Sequence, residues 1–229
     1  MVQSKTILSA ILILAGLIVA SIQLTGQYEA DFVPLLSPPP APSATPPAQP
    51  PCAPTPADTP FGYLPGAPLT TTLAPPDLPG QHLLIWGLIY ASDCVTPLPQ
   101  ALLEVWQAGP DGQYDRDKPF SLRGQLRADA AGRYAFTTVR PGSYEVNRAT
   151  QPAHIHFRVS YKDYEPRYTR LLFADDPHLG KQAEVSPELV VSFGRQDRLY
   201  RPPVYHGQFN LILPVPPPTP TGGAAVDAN

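Results

Sequence analysis

Residues 153–161 read AHIHFRVSY. Side chains alternate faces along a strand. A strand here turns Ile155 into a core and sets His154 and His156 side by side on the opposite face. Phe157, in step with Ile155, anchors the strand from below. The stretch therefore predicts a buried β-strand that carries an imidazole pair on one side.

The same texture recurs on either side of it. HLLIWGLIY (82–90) is an apolar run rich in β-branched and aromatic residues, and ALLEVWQA (101–108), GRYAFTTV (132–139), YTRLLFA (168–174), ELVVSFG (188–194) and HGQFNLIL (206–213) read as short strands. The turn signals GPDG, DAAG, RPG and DDPHLG separate them. No convincing helical periodicity follows residue 30. The fold class expected is all-β, a β-sandwich spanning residues 61–214.

The ends have a different composition. The chain has 229 residues and a formal net charge of −3, with no long basic run, so a nucleic-acid partner is not expected. Residues 1–26 contain an uncharged apolar stretch from Ile7 to Leu24, which as a helix would reach about 27 Å. Lys5 precedes it and acidic residues follow it. The positive-inside rule then places the N-terminus in the cytoplasm and the domain outside, held by a transmembrane anchor. A cleaved signal peptide, with Val19-Ala20-Ser21 at the cut, is the alternative. Both readings export the domain. Residues 27–60 are a Pro-rich linker and residues 215–229 a disordered tail, because neither holds enough apolar surface to fold.

Cys52 and Cys94 are the only cysteines. In an exported protein an even pair favours a disulfide, with two free thiols as the alternative. Closing a loop of about 43 residues would contribute about 4 kcal/mol in the chain-entropy model.

Two imidazoles on one strand face can hold one metal ion, or one can be hydrogen-bonded while the other is solvated. Tyr114 and Tyr144, at turns or strand edges, extend the donor set. Phenolate is a hard ligand, and phenolate with imidazole suits ferric iron better than zinc or magnesium. Taken singly, either tyrosine reads as an ordinary half-buried strand residue. His82, His178 and His206 lack metal-like spacing.

Taken in order, GLIYASDCVTPLPQALLEVWQAGPDGQYD, LRGQLRADAAGRYAFTTVRPGSY, QPAHIHF and TRLLFADDP resemble the intradiol ring-cleavage dioxygenases, and most closely the exported bacterial members. The resemblance covers most of residues 83–177. It implies a β-sandwich that holds one Fe(III) per chain through Tyr114, Tyr144, His154 and His156. It implies an enzyme that cleaves catechols between the hydroxyl-bearing carbons with O2, giving cis,cis-muconates. In such a reaction Tyr114 would leave the iron and take a substrate proton. The resemblance also supports a Cys52–Cys94 bridge and suggests Tyr63 as a residue lining the substrate site; with it are grouped Trp106, read as a packing residue near the cleft, and Arg148, a second candidate beside Arg170 for the cation.

Two positions depart from that pattern. Gln151 stands where the family usually has arginine, and Arg170 where it usually has glutamine. The two residue types have exchanged places, so Arg170 is expected to supply the cation and Gln151 the amide. The competing expectation is a non-catalytic sandwich of the same ancestry that keeps a metal site. The expected partners are a catechol, O2 and, with an intact anchor, the membrane. A homo-oligomer is left open.

Overall fold

The computed structural model describes residues 52–114, 120–181, 185–196 and 203–217. The apolar stretch at 7–24, most of the Pro-rich linker and the last residues of the tail lie outside them. Among the described residues no helix is long and apolar enough to cross a membrane.

Twelve strands form among the described residues: β1 (His82–Tyr90), β2 (Leu102–Gln107), β3 (Arg123–Arg127), β4 (Arg133–Val139), β5 (Tyr144–Val146), β6 (Ala149–Gln151), β7 (His154–Ser160), β8 (Arg167–Phe173), β9 (Val190–Val191), β10 (Gly194–Gln196), β11 (Val204–Gln208) and β12 (Leu211–Ile212). The helical content among the described residues is two short 3-10 turns, Leu179–Lys181 and Pro187–Leu189. One sheet runs β10-β11-β1-β12, with β4 on the other side of β1; the second runs β3-β2-β7-β8-β9. Strands β5 and β6 form a separate hairpin.

The two sheets share one core. Leu83, Ile85 and Ile89 from β1 and Phe136 from β4 join Leu103 and Val105 from β2 and Ile155, Phe157 and Val159 from β7. Phe157 meets Phe136 and Phe209 at ring-centroid distances of 5.9 and 5.3 Å. In β1 every second residue is buried, the signature of a strand with one face on the core. In β7 both faces are buried at Ile155 and at its two flanking histidines. The face that carries His154 and His156 thus points away from the sandwich core and is covered by something else.

Part of that cover is the chain before residue 61. Thr55 is buried. Its N–H donates to Ile212 O and its Oγ1 accepts from Ile212 N. Arg167 donates to Thr55 O, and Asp58 N donates to Tyr168 O. Residues read as linker are thereby fixed to β8 and β12. Cys52 and Cys94 are bridged, with Cα atoms 5.8 Å apart. At the other end Val215, read as tail, is buried and accepts a hydrogen bond from Ser92 N.

Two expected strands differ from the structure. HGQFNLIL is interrupted at Phe209 and Asn210, where Asn210 Oδ1 accepts from Leu88 N. Gly87 on β1 makes room for this bulge: a Cβ there would lie 1.9 Å from Phe209 O. ELVVSFG divides into a 3-10 turn, β9 and part of β10.

Candidate metal centre

His154 and His156 point the same way from β7, as the alternation requires. Their Nε2 atoms are 3.0 Å apart, and Tyr144 Oη is 3.0 Å from His154 Nε2. Tyr144 reaches them from the start of the β5–β6 hairpin. That hairpin is closed by Asn147 and Arg148, both at positive φ, the two-residue turn that matches strand twist. Tyr114 arrives from the segment after β2. Its ring meets Tyr144 edge-on at 5.7 Å. Tyr114 Oη is buried without a hydrogen bond of ordinary geometry, although the Tyr144 hydroxyl lies near enough to perturb it.

The four donors predicted from the sequence therefore converge. His154 Nδ1 is 2.7 Å from Pro152 O. It must donate there, which leaves the Nε2 lone pair facing the cluster. Asp176 steadies this end of β7, its Oδ2 accepting from Ala153 N and from Ser143 Oγ.

Burial shapes the electrostatics. It pushes His156 down to about 2, with His154, Arg170 and Arg123 acting in the same direction. Burial lowers His154 too, and Arg170 adds to the effect. Both imidazoles are therefore neutral, with lone pairs available. Burial raises the Tyr114 phenol, as does neighbouring Tyr144, while Arg123 opposes the rise. Burial raises Tyr144 as well, against the Tyr114 hydrogen bond and the Arg170 cation.

This donor set fits a small, highly charged cation. With metal–nitrogen bonds of about 2.1 Å, two ligands at right angles lie about 3.0 Å apart, which is the spacing seen between the nitrogens. Two phenols that can ionise suit a trivalent ion. Among the described residues no group of three or more His, Cys, Asp or Glu forms a metal cluster; here the tyrosines complete the set.

The sheet register explains the surroundings. Trp106, His156 and Arg170 are cross-strand partners on β2, β7 and β8. Trp106 stacks on His156 at 4.9 Å and donates from Nε1 to Phe61 O. Tyr63 Oη donates to Glu104 Oε1 at 2.9 Å, and its ring leans on Trp106 at 5.4 Å. The Tyr63 hydroxyl is pushed up to about 12 by burial, with Glu104 adding to the rise. Gln151 pairs with Tyr144 across the β5–β6 hairpin. Arg148 is exposed at the tip of that hairpin. His82 and His206 belong to the other sheet.

Three residues of this region carry no metal-like signal in the sequence. Phe61 lies half-exposed over the tyrosines, 6.1 Å from the Tyr114 ring and 6.2 Å from that of Tyr144. Arg123, buried, donates to Gly62 O and sits 5.7 Å from the Tyr114 ring. Asp58 Oδ2 lies 3.4 Å from Arg170 Nε and 3.9 Å from His156 Nδ1. The proline-rich setting of Asp58 hid it, because that composition reads as spacer.

The fold and site define an all-β protein with a tyrosine–histidine donor cluster on the outer face of one sheet. A family model described as "Dioxygenase" matches residues 63–199, more than half of the chain. The chain belongs to the intradiol ring-cleavage dioxygenase family. It is 36% identical over 138 residues to catechol 1,2-dioxygenase 2 of Acinetobacter lwoffii, covering 51% of this chain and 50% of that protein. It is 30% identical over 156 residues to chlorocatechol 1,2-dioxygenase of Rhodococcus opacus, covering 58% and 60%. It thus spans half to three fifths of the length of these curated relatives. Among solved structures it is similar to the dioxygenase domain of a dioxygenase carbohydrate-binding protein fusion from Streptomyces sp. SirexAA-E. That match has a TM-score of 0.64 at 28% identity and covers 72% of this chain and 100% of that one.

Proposed function

We propose that this chain is a non-haem Fe(III) dioxygenase that uses O2 to cleave a catechol between its two hydroxyl-bearing carbons, giving a cis,cis-muconate. The observation that carries this reading is the convergence of Tyr144 Oη and the two histidine Nε2 atoms at 3.0 Å spacings, with Tyr114 Oη buried beside them. Membership of the family and the similarity to catechol and chlorocatechol 1,2-dioxygenases support it.

Tyr114, Tyr144, His154 and His156 would hold one Fe(III). Bound there, the ion would supply Lewis acidity toward a catecholate and O2. The residues do the rest. A catechol that binds through both oxygens must lose its protons. Tyr114, a phenolate while it serves as a ligand, would take one on leaving, since burial favours its neutral phenol, and the other would pass to solvent. Arg170 places a cation within range of Tyr144, His154 and His156, where it offsets the negative charge of the bound catecholate. Gln151, opposite Tyr144 in the hairpin, supplies the amide. Phe61, Trp106 and Tyr63 wall the site and keep water from it.

The domain works outside the cytoplasm, delivered by residues 1–26. The Cys52–Cys94 disulfide supports this, because such bonds persist in oxidising compartments.

The test uses the full chain. Its iron content and visible spectrum are recorded before and after anaerobic catechol, then products are analysed once O2 is admitted. About one iron per chain, a tyrosinate-to-iron band that moves with catechol, and a muconate product are expected. A protein that cannot take up ferric iron rules the reading out. A loaded protein whose band moves without product is the non-catalytic module.

A further inference from the structure

We infer that Asp58 is a positioning residue of this centre: its carboxylate holds Arg170 in place and provides the acceptor for the outer nitrogen of His156. The inference rests on the proposed Fe(III) site. Asp58 lies outside the residues matched by the family model, so the family assignment is silent about it.

The backbone around Asp58 is fixed. Thr55 is bonded to β12 through Ile212 N and O, Arg167 donates to Thr55 O, and Asp58 N donates to Tyr168 O. Asp58 Oδ1 accepts from Thr59 N at 2.8 Å. The other oxygen, Oδ2, is thereby presented to β8 and β7, 3.4 Å from Arg170 Nε and 3.9 Å from His156 Nδ1.

The two histidines differ at their outer nitrogens. His154 Nδ1 already has Pro152 O at 2.7 Å. His156 Nδ1 is buried with no hydrogen bond. A histidine that ligates through Nε2 carries its proton on Nδ1, and that N–H needs an acceptor to set the ring orientation. A buried donor left unpaired is costly. Asp58 Oδ2 faces this nitrogen, and a movement of about 1 Å brings it to hydrogen-bond distance.

Charge points the same way. Arg170 is the cross-strand partner of His156, so its guanidinium stands beside the donors that would bind a trivalent cation. Like charges so close oppose loading. Asp58 offsets that repulsion while leaving the arginine where a catecholate needs it. Losing Asp58 weakens metal retention through both routes.

The test compares full-length wild type, Asp58→Asn and Asp58→Ala, each loaded with Fe(III), by the rate at which a chelator removes the iron, followed by the tyrosinate band. Thermal unfolding of the metal-free proteins shows whether each variant folds; Asp58→Asn, nearly isosteric, keeps the comparison valid if Asp58→Ala does not. On the order of 10–100-fold weaker retention is expected. Adding Arg170→Gln to Asp58→Asn removes the cation beside the donors and should restore part of the lost retention, which a purely structural role would not predict. Retention equal to wild type in Asp58→Asn, or a loss that Arg170→Gln leaves unchanged, overturns the inference. Wild type that takes up no Fe(III) fails earlier and overturns both the proposed function and this inference.

Discussion

Trp106 lies face to face with His156, ring centroids 4.9 Å apart and planes 9° from parallel. The same indole donates its N–H to Phe61 O at 2.9 Å. One side chain thus fixes the tilt of a candidate ligand from below and pins the segment that covers the site from above. Rotamer freedom at His156 is removed by packing, which is what a preorganised centre requires.

Replacing this indole separates its two roles. Trp106 is 2% exposed, so Trp106→Ala should cost about 3–5 kcal/mol in denaturant unfolding. Trp106→Phe keeps the aromatic face but loses the donor, and should cost less while freeing Phe61. The expected result is that both variants lose iron faster than wild type, with Trp106→Ala losing it fastest. Unchanged retention in both would show that stacking does not position His156.

The exchanged pair gives a second prediction. Arg170 perturbs Tyr144, His154 and His156, whereas Gln151 is tied into the β5–β6 hairpin. Arg170→Ala should lower kcat on the order of 100-fold, the usual scale for removing one group that stabilises developing charge. Gln151→Ala should have a much smaller effect. Steady-state kinetics with catechol checks this; equal, small effects would show that the exchange does not preserve the cation's task.

The strand series and the histidine pair were legible in the sequence because both rest on period-two alternation, whereas Tyr114 and Tyr144, at turns or strand edges, joined them only through the resemblance to the family. AHIHFRVSY alone places two imidazoles on one face. Strand β3, RGQLR, was not legible, since Arg123, Gln125 and Arg127 fill one face and only Gly124 and Leu126 the other. A Cβ at Gly124 would come within 2.8 Å of Thr70 Cγ2, so tertiary packing, not apolar pattern, selects that glycine. The hairpin β5–β6 escaped notice because its strands are three residues each. Asp58 and Phe61 escaped for a different reason. They come to the site through backbone bonds of Thr55 and Asp58 to distant strands, and no local pattern encodes such pairing.

Gly87 tests the bulge that splits β11 from β12. Gly87→Ala would place a methyl 1.9 Å from Phe209 O, where the neighbour is backbone and cannot rotate away. A loss of about 1–3 kcal/mol or more is expected. At Gly194 an added methyl would meet nothing within 4 Å, so alanine there should be tolerated to within about 0.5 kcal/mol. Paired denaturant titrations measure both. Equal costs would mean that the bulge relaxes freely.

The disulfide tethers the segment that carries Asp58 and Phe61, yet that segment has its own bonds to β8 and β12. Removing the bridge should therefore act more on the unfolded chain than on the site. Cys52→Ser/Cys94→Ser should lose up to about 4 kcal/mol of stability in the chain-entropy model. The iron-loaded variant should still show the tyrosinate band below its lowered melting temperature, because Thr55 and Asp58 continue to hold the cover. A band lost at temperatures where the variant remains folded would assign the bridge a direct part in shaping the centre. It would also mean that the backbone bonds of Thr55 and Asp58 cannot seat the segment unaided.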